Sequence, residues 1–265
     1  MTWIASYVVL GAVAGVLAGL LGIGGGLVIV PFLTFMFTAQ GFAPDYIVHM
    51  ALGTSLASII FTSMSSVMAH HKRGAVVWPV VFRITPGIIA GSLFGTVVAA
   101  QLSSAVLKGF FSAFLYYVAT QMLIGIKPKP SRSTPKTAGM FAAGGTIGIF
   151  SSLAGIGGGT LTVPFLVWCN TIMHKAIGTA AAVGFPIAIA GTAGYIANGL
   201  SVAEALPGHT LGFIHLTALA SIVAASVLTA PIGAWLAHRL PVDKLKKIFA
   251  CLLFLLATRM LVSLF

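Results

Sequence analysis

At 265 residues the chain is long enough for one or two domains, yet 58% of it is hydrophobic and only 6% is charged. Soluble domains carry about 25% charged residues. That shortfall, with a mean hydropathy of +1.08, excludes the soluble class and predicts an all-α polytopic membrane protein. The net charge of +11 comes from 14 basic residues against three acids, Asp45, Glu204 and Asp243. In a soluble chain this balance would suggest nucleic acid. Here the basic residues gather in short loops, where they orient a membrane protein, so the expected partners are lipid and a small solute, with no nucleic acid. Cys169 and Cys251 lie in or beside apolar runs at no metal-binding spacing. Both read as free buried thiols, and neither a metal nor a cofactor is expected. No basic segment precedes the first apolar run, so no cleaved signal peptide is expected.

In chain order, a first helix over 3–21 is expected to break at Gly22-Ile23-Gly24-Gly25-Gly26 and resume at Pro31, through 38. Glycine costs about 1 kcal/mol per helical position relative to alanine, and interior proline about 3. Proline suits a first helical turn, and the short second leg falls below the roughly 20 residues needed to cross a bilayer. Helices are then expected over 47–69, 78–100 and 104–126, with a basic loop at His70-His71-Lys72-Arg73. The segment 127–137, with three prolines and four basic residues, reads as a linker outside the lipid.

The second half replays the first. Gly155-Ile156-Gly157-Gly158-Gly159 and Val163-Pro164-Phe165-Leu166 answer the first break and Val30-Pro31-Phe32-Leu33 at the same spacing. His174 and Gly178-Thr179 answer His49 and Gly53-Thr54. Residues 1–126 and 138–265 therefore read as two repeats, each a glycine-broken half-helix element plus three transmembrane helices. If each broken element enters and returns to one side, 11 of the 14 basic residues share one face. Equivalent loops then differ in charge, as inverted-topology repeats require. The basic face reads as cytoplasm.

Paired glycine breaks point to a transporter's binding site. Half-helices that end within the membrane expose unpaired N–H groups and partial positive charge, and both favour an anion. Packing through small residues is the competing explanation of the glycines. These motifs, with Ala51-Leu52-Gly53-Thr54-Ser55-Leu56-Ala57 and the chain length, resemble the sulfite exporter TauE/SafE family of membrane permeases over essentially the whole sequence. The resemblance implies an inner-membrane carrier of a small inorganic or organic sulfur anion, such as sulfite or sulfoacetate.

The candidate substrate contacts are Gly24, Gly25, Gly26, Gly157, Gly158, Gly159, Thr54, Ser55, Ser58, Thr179 and Arg83. Ser55, Ser58, Thr62 and Ser65 share one helical face, which serves either a wet path or close packing. His49, His174 and His215 are candidates for a gate or a proton link. Separated carboxylates, and the lack of a nucleophile motif, argue against an enzyme. An anion channel built on the same half-helices is the alternative to a carrier.

Overall fold

The computed structural model describes residues 2–21, 25–124, 135–237 and 242–264. Its elements are α1 (Thr2–Leu21), α2 (Gly26–Ala39), α3 (Ile47–Lys72), α4 (Trp78–Gln101), α5 (Ser104–Ile124), α6 (Thr137–Leu153), α7 (Gly159–Trp168), α8 (Met173–Leu200), β1 (Thr210–Leu211), β2 (Ile214–His215), α9 (Leu216–Ala237) and α10 (Val242–Val262). Among the described residues, five helices are long and apolar enough to span a membrane: α3, α4, α5, α8 and α9. Bulky apolar side chains point outward, Phe82, Leu228 and Ile248 among them, as lipid-facing surfaces require.

Several boundaries differ from expectation. The helix α2 starts at Gly26, five residues before Pro31, and α7 likewise carries Pro164 inside it. Each proline leaves one carbonyl without its helical donor, and Gly25 rather than Pro31 marks the start. The His70–Lys72 segment is the last turn of α3, Thr137 already belongs to α6, and Lys244, Lys246 and Lys247 lie in α10. The segment between α8 and α9 forms a short antiparallel hairpin, with Thr210 opposite His215 and Leu211 opposite Ile214. Cys251 is exposed on α10, whereas Cys169 is buried. Most of the linker lies outside the described residues.

Side-chain registers fix the helix directions. Gly87 and Gly91 of α4 lie against Phe141 and Gly145 of α6, so the two run parallel. In the same way Gly11 and Gly15 of α1 meet Ile222 and Ser226 of α9. Gly53 and Gly191 meet Tyr195 and Leu56, so α3 and α8 run antiparallel. Gln40 Nε2 donates to the Tyr7 hydroxyl at 2.7 Å, folding α2 back beside the start of α1. Ser104 Oγ donates to the Asp45 carbonyl at 2.7 Å. One end of the bundle therefore collects Asp45, Lys108 and Glu204. The other collects Lys72, Arg73, Lys136 and Lys175.

The closest pairings are α1 with α9, α4 with α6, α3 with α8, α5 with α10 and α4 with α8, each joining residues of both halves. Exchanging the halves maps the first four onto themselves and turns α4 with α8 into α9 with α3, which also touch. At the centre the breaks meet directly: a Cβ on Gly26 would stand 2.6 Å from the Gly155 carbonyl oxygen. Without a hydrophobic drive between helices in lipid, such backbone approach supplies the van der Waals contact that holds them together. A Cβ on Gly91 would fall on the Gly145 carbonyl oxygen, whereas one on Gly109 of α5 meets nothing within 4 Å. Gly91→Val is expected to cost about 3 kcal/mol through overpacking. Gly109→Ala is expected to gain about 0.5–1 kcal/mol. Thermal unfolding in detergent micelles checks both, and equal effects of the two substitutions would contradict the packing argument.

Candidate functional site

A cavity of about 520 Å3 runs from the basic end of the bundle to the second glycine break. Gly157, Gly158 and Gly159 form its inner wall at the N-terminus of α7. Thr62, Ser63, Ser65 and Ser66 of α3 line one side, and Ala180, Ala181 and Gly184 of α8 another. His70, Arg73 and Trp235 stand toward the mouth. The first amides of a helix have no acceptor within it, and the helix dipole adds partial positive charge there. Arg73 contributes a full positive charge. The lining is otherwise mostly apolar, and these features within it favour a small anion.

The structure distributes the candidate residues unequally. Gly157, Gly158 and Gly159 line the cavity, whereas Gly24 lies outside the described residues. Gly25 takes φ 68° and begins α2, and Gly26 is buried against Gly155. Ser55 Oγ donates to the Gly155 carbonyl at 2.8 Å, and Ser58 Oγ to the Ser55 carbonyl at 2.7 Å. The hydroxyl face of α3 thus splits. Its first half is bonded into the bundle and its second half, from Thr62 onward, borders the cavity. Thr54 Oγ1 accepts from the His215 N–H and Thr179 Oγ1 from the Val77 N–H, both at 3.0 Å. Arg83 points outward from α4, and His174 is exposed in the first turn of α8. Arg83, His174, Thr54, Thr179, Ser55 and Ser58 are therefore placed away from the cavity lining.

The sequence reading missed Ser63, Ser66, His70 and Arg73 as cavity residues. It also missed Thr160 and Thr162, whose hydroxyls are buried without a hydrogen-bond partner among the described residues. Both stand just past the second break, where the first copy has Leu27 and Ile29.

The opposite end is closed. Phe213 packs its ring against His49, Tyr46 and Tyr195, with centroids 5.1–6.4 Å apart. His215 sits among Tyr7, Phe37 and Phe42. His49 Nε2 lies 2.9 Å from the Ala99 carbonyl. The two ends use equivalent sockets with different contents. Gly53 receives the Phe213 carbonyl, and Gly178 receives that of Ala75. Thr54 holds the amide of His215, and Thr179 holds that of Val77. Aromatic bulk fills the socket at the Asp45 end only.

His215 Nδ1 accepts from the Ala218 N–H at 3.1 Å, which requires the neutral ring protonated at Nε2. Burial, and secondarily His209, lowers its pKa below the ordinary 6.5. The unfolded chain thus binds this proton more readily than the folded one. The stability from the neutral ring is complete above the ordinary value and is lost as pH falls below it. Thermal stability is expected to drop below about pH 6.5. His215→Asn, which keeps a side-chain acceptor, is expected to flatten that drop. An unchanged profile in the variant would assign the pH dependence elsewhere.

Apolar helices crossing around a cavity that is open at one end define a multi-pass membrane transporter. Residues 7–260 match the family described as sulfite exporter TauE/SafE, and the chain belongs to that family. A "probable membrane transporter protein" of Haemophilus influenzae is 37% identical over 260 residues, covering 98% of each chain. Relatives of the same description from Methanocaldococcus jannaschii and Bacillus subtilis are 31% and 30% identical, over 85% and 72% of this chain and 80% and 78% of their own. No solved structure matches the chain.

Proposed function

We propose that this protein is a secondary transporter that exports a small sulfur-containing anion, such as sulfite or an organosulfonate like sulfoacetate, across the cytoplasmic membrane. The carrying observation is the cavity that reaches the α7 N-terminus from one end while aromatic packing closes the other. A site reachable from one end at a time supports alternating access. A channel on the same half-helices would need a continuous path, and Phe213 and His215 stand across it. Residues 1–126 and 138–265 act as inverted-topology repeats. The parallel pairs α1/α9 and α4/α6 and the antiparallel pair α3/α8 support that reading. The basic end faces the cytoplasm, by the excess of lysine and arginine there, so the cavity is open to the cell interior.

Export of an anion needs little help from a second ion. The membrane potential supplies about 2.3 kcal/mol per charge per 100 mV toward the outside. His49 and His215 are bonded into the closed end, and His174 lies outside the membrane core, so weak pH dependence of flux is the expectation. In proteoliposomes, efflux of sulfite or sulfoacetate is expected to saturate, to show trans-stimulation and to follow an imposed potential. Single-channel currents would establish the channel instead, and flux that ignores the potential but follows a proton gradient would return the histidines to the mechanism.

Gly157 has room for a Cβ, its nearest contact being Ile59 at 3.4 Å. Gly157→Leu would place a side chain across the wall of the cavity. It is expected to abolish flux while leaving the protein folded, as judged by gel filtration and thermal unfolding. Orientation is checked with single cysteines in a background lacking Cys169 and Cys251. Positions 72 and 175 are expected to label from the cytoplasm, and 45 and 204 from outside. Labelling of 72 and 45 from one side would overturn the topology.

A further inference from the structure

Resting on the reading of the cavity as an anion site, we infer that an oxyanion at the second break is held through the hydroxyl of Thr162 and the first amides of α7. Thr162 is fully buried and Thr160 is 7% exposed. Neither hydroxyl has a hydrogen-bond partner among the described residues. A buried hydroxyl left unpaired is costly, and inside a helix threonine can bond the carbonyl four residues back. Thr34 of α2 does so, to Val30 at 2.8 Å. Thr160 and Thr162 do not.

The Thr162 hydroxyl lies directly behind the cavity wall. The position a Cβ on Gly158 would occupy is bounded by Thr162 Oγ1 at 3.2 Å, the Ala180 carbonyl at 3.2 Å and Ile187 at 3.1 Å. Gly158 itself lines the cavity, and Thr160 directly follows Gly159, which also lines it. The missing side chain at Gly158 thus leaves an approach from the cavity to Thr162. An oxyanion there would accept from the Thr162 hydroxyl and from the first amides of α7, a ten-residue helix; Thr160, two residues earlier, belongs to the other side of that helix. Such charge-assisted bonds are about twice as strong as neutral ones.

The other copy sharpens the contrast. At the positions equivalent to Thr160 and Thr162, the first repeat carries Leu27 and Ile29, both packed in the hydrophobic core. Gly26 there is occupied by the Gly155 carbonyl.

The test is isothermal titration of the purified full chain in detergent with sulfite and, separately, methanesulfonate. Thr160→Val and Thr162→Val preserve shape and remove one hydroxyl each. Thr162→Val is expected to raise Kd about tenfold, the size of one hydrogen bond to a charged group, and Thr160→Val to leave it unchanged. Without anion, their unfolding temperatures are expected to hold or rise, because the hydroxyl removed had no partner. Thr162→Ser keeps the hydroxyl and is expected to bind like the unaltered chain. Wild-type Kd in Thr162→Val would overturn the assignment while leaving the anion cavity standing. So would a tenfold loss in Thr162→Ser, which would assign the effect to packing. Absence of binding in the unaltered chain to either probe would overturn the sulfur-anion reading, and this assignment with it.

Discussion

The structure turns on the contact of two backbones at its centre. Gly26, where α2 begins, lies against the carbonyl of Gly155, and the Ser55 hydroxyl bonds that same oxygen. The peptide is held from both sides at a residue with φ 58°, a left-handed conformation that glycine adopts without steric cost. Everything that faces the cavity follows from this pin. Once Gly155 and Ile156 are fixed, the following Gly157, Gly158 and Gly159 are held at the cavity wall.

Matching Gly-Thr pairs stand at unlike ends. Each Gly-Thr pair, on α3 and on α8, offers one flat place for a carbonyl and one hydroxyl for an amide. At one end the segment seated there is Ala75 to Val77, small and close to the basic mouth. At the other it is Phe213 to His215, carried on the short hairpin and caged by Tyr7, Phe37, Phe42, Tyr46, His49 and Tyr195. Rings packed edge and face exclude water more completely than alanine and valine can. An inherited geometry has been made polar in use by the residues that fill it.

Much of this was legible in the residues alone. The apolar runs placed the helices, the paired glycines placed the breaks, and the loop charges gathered Lys72, Arg73 and Lys175 apart from Asp45 and Glu204. The start of α2 was misplaced because Pro31 was read as a first-turn residue, when Gly25 had already supplied the turn. The serine face was half understood. Spacing shows that Ser55, Ser58, Thr62 and Ser65 share a side of α3, but only the fold shows what that side meets at each level. Thr160 and Thr162 were overlooked because attention fell on what the copies share. Their signal lay in a difference, two hydroxyls replacing Leu27 and Ile29. Arg83 looked important because charge is rare in lipid, yet it stands near a helix end where its long stem can reach water.

The pairing of α1 with α9 and of α4 with α6 also bears on how the chain is made. Each of these glycine-lined contacts joins helices far apart in sequence, and each crosses from one half to the other. When α5 has left the ribosome, α1 and α4 are in the bilayer with their closest partners still unsynthesised. The flat faces of Gly11, Gly15, Gly87 and Gly91 must wait against lipid until α6, and then α9, arrives. The first half is thus a set of inserted helices rather than a finished body, and assembly of the protein belongs to the last third of its translation.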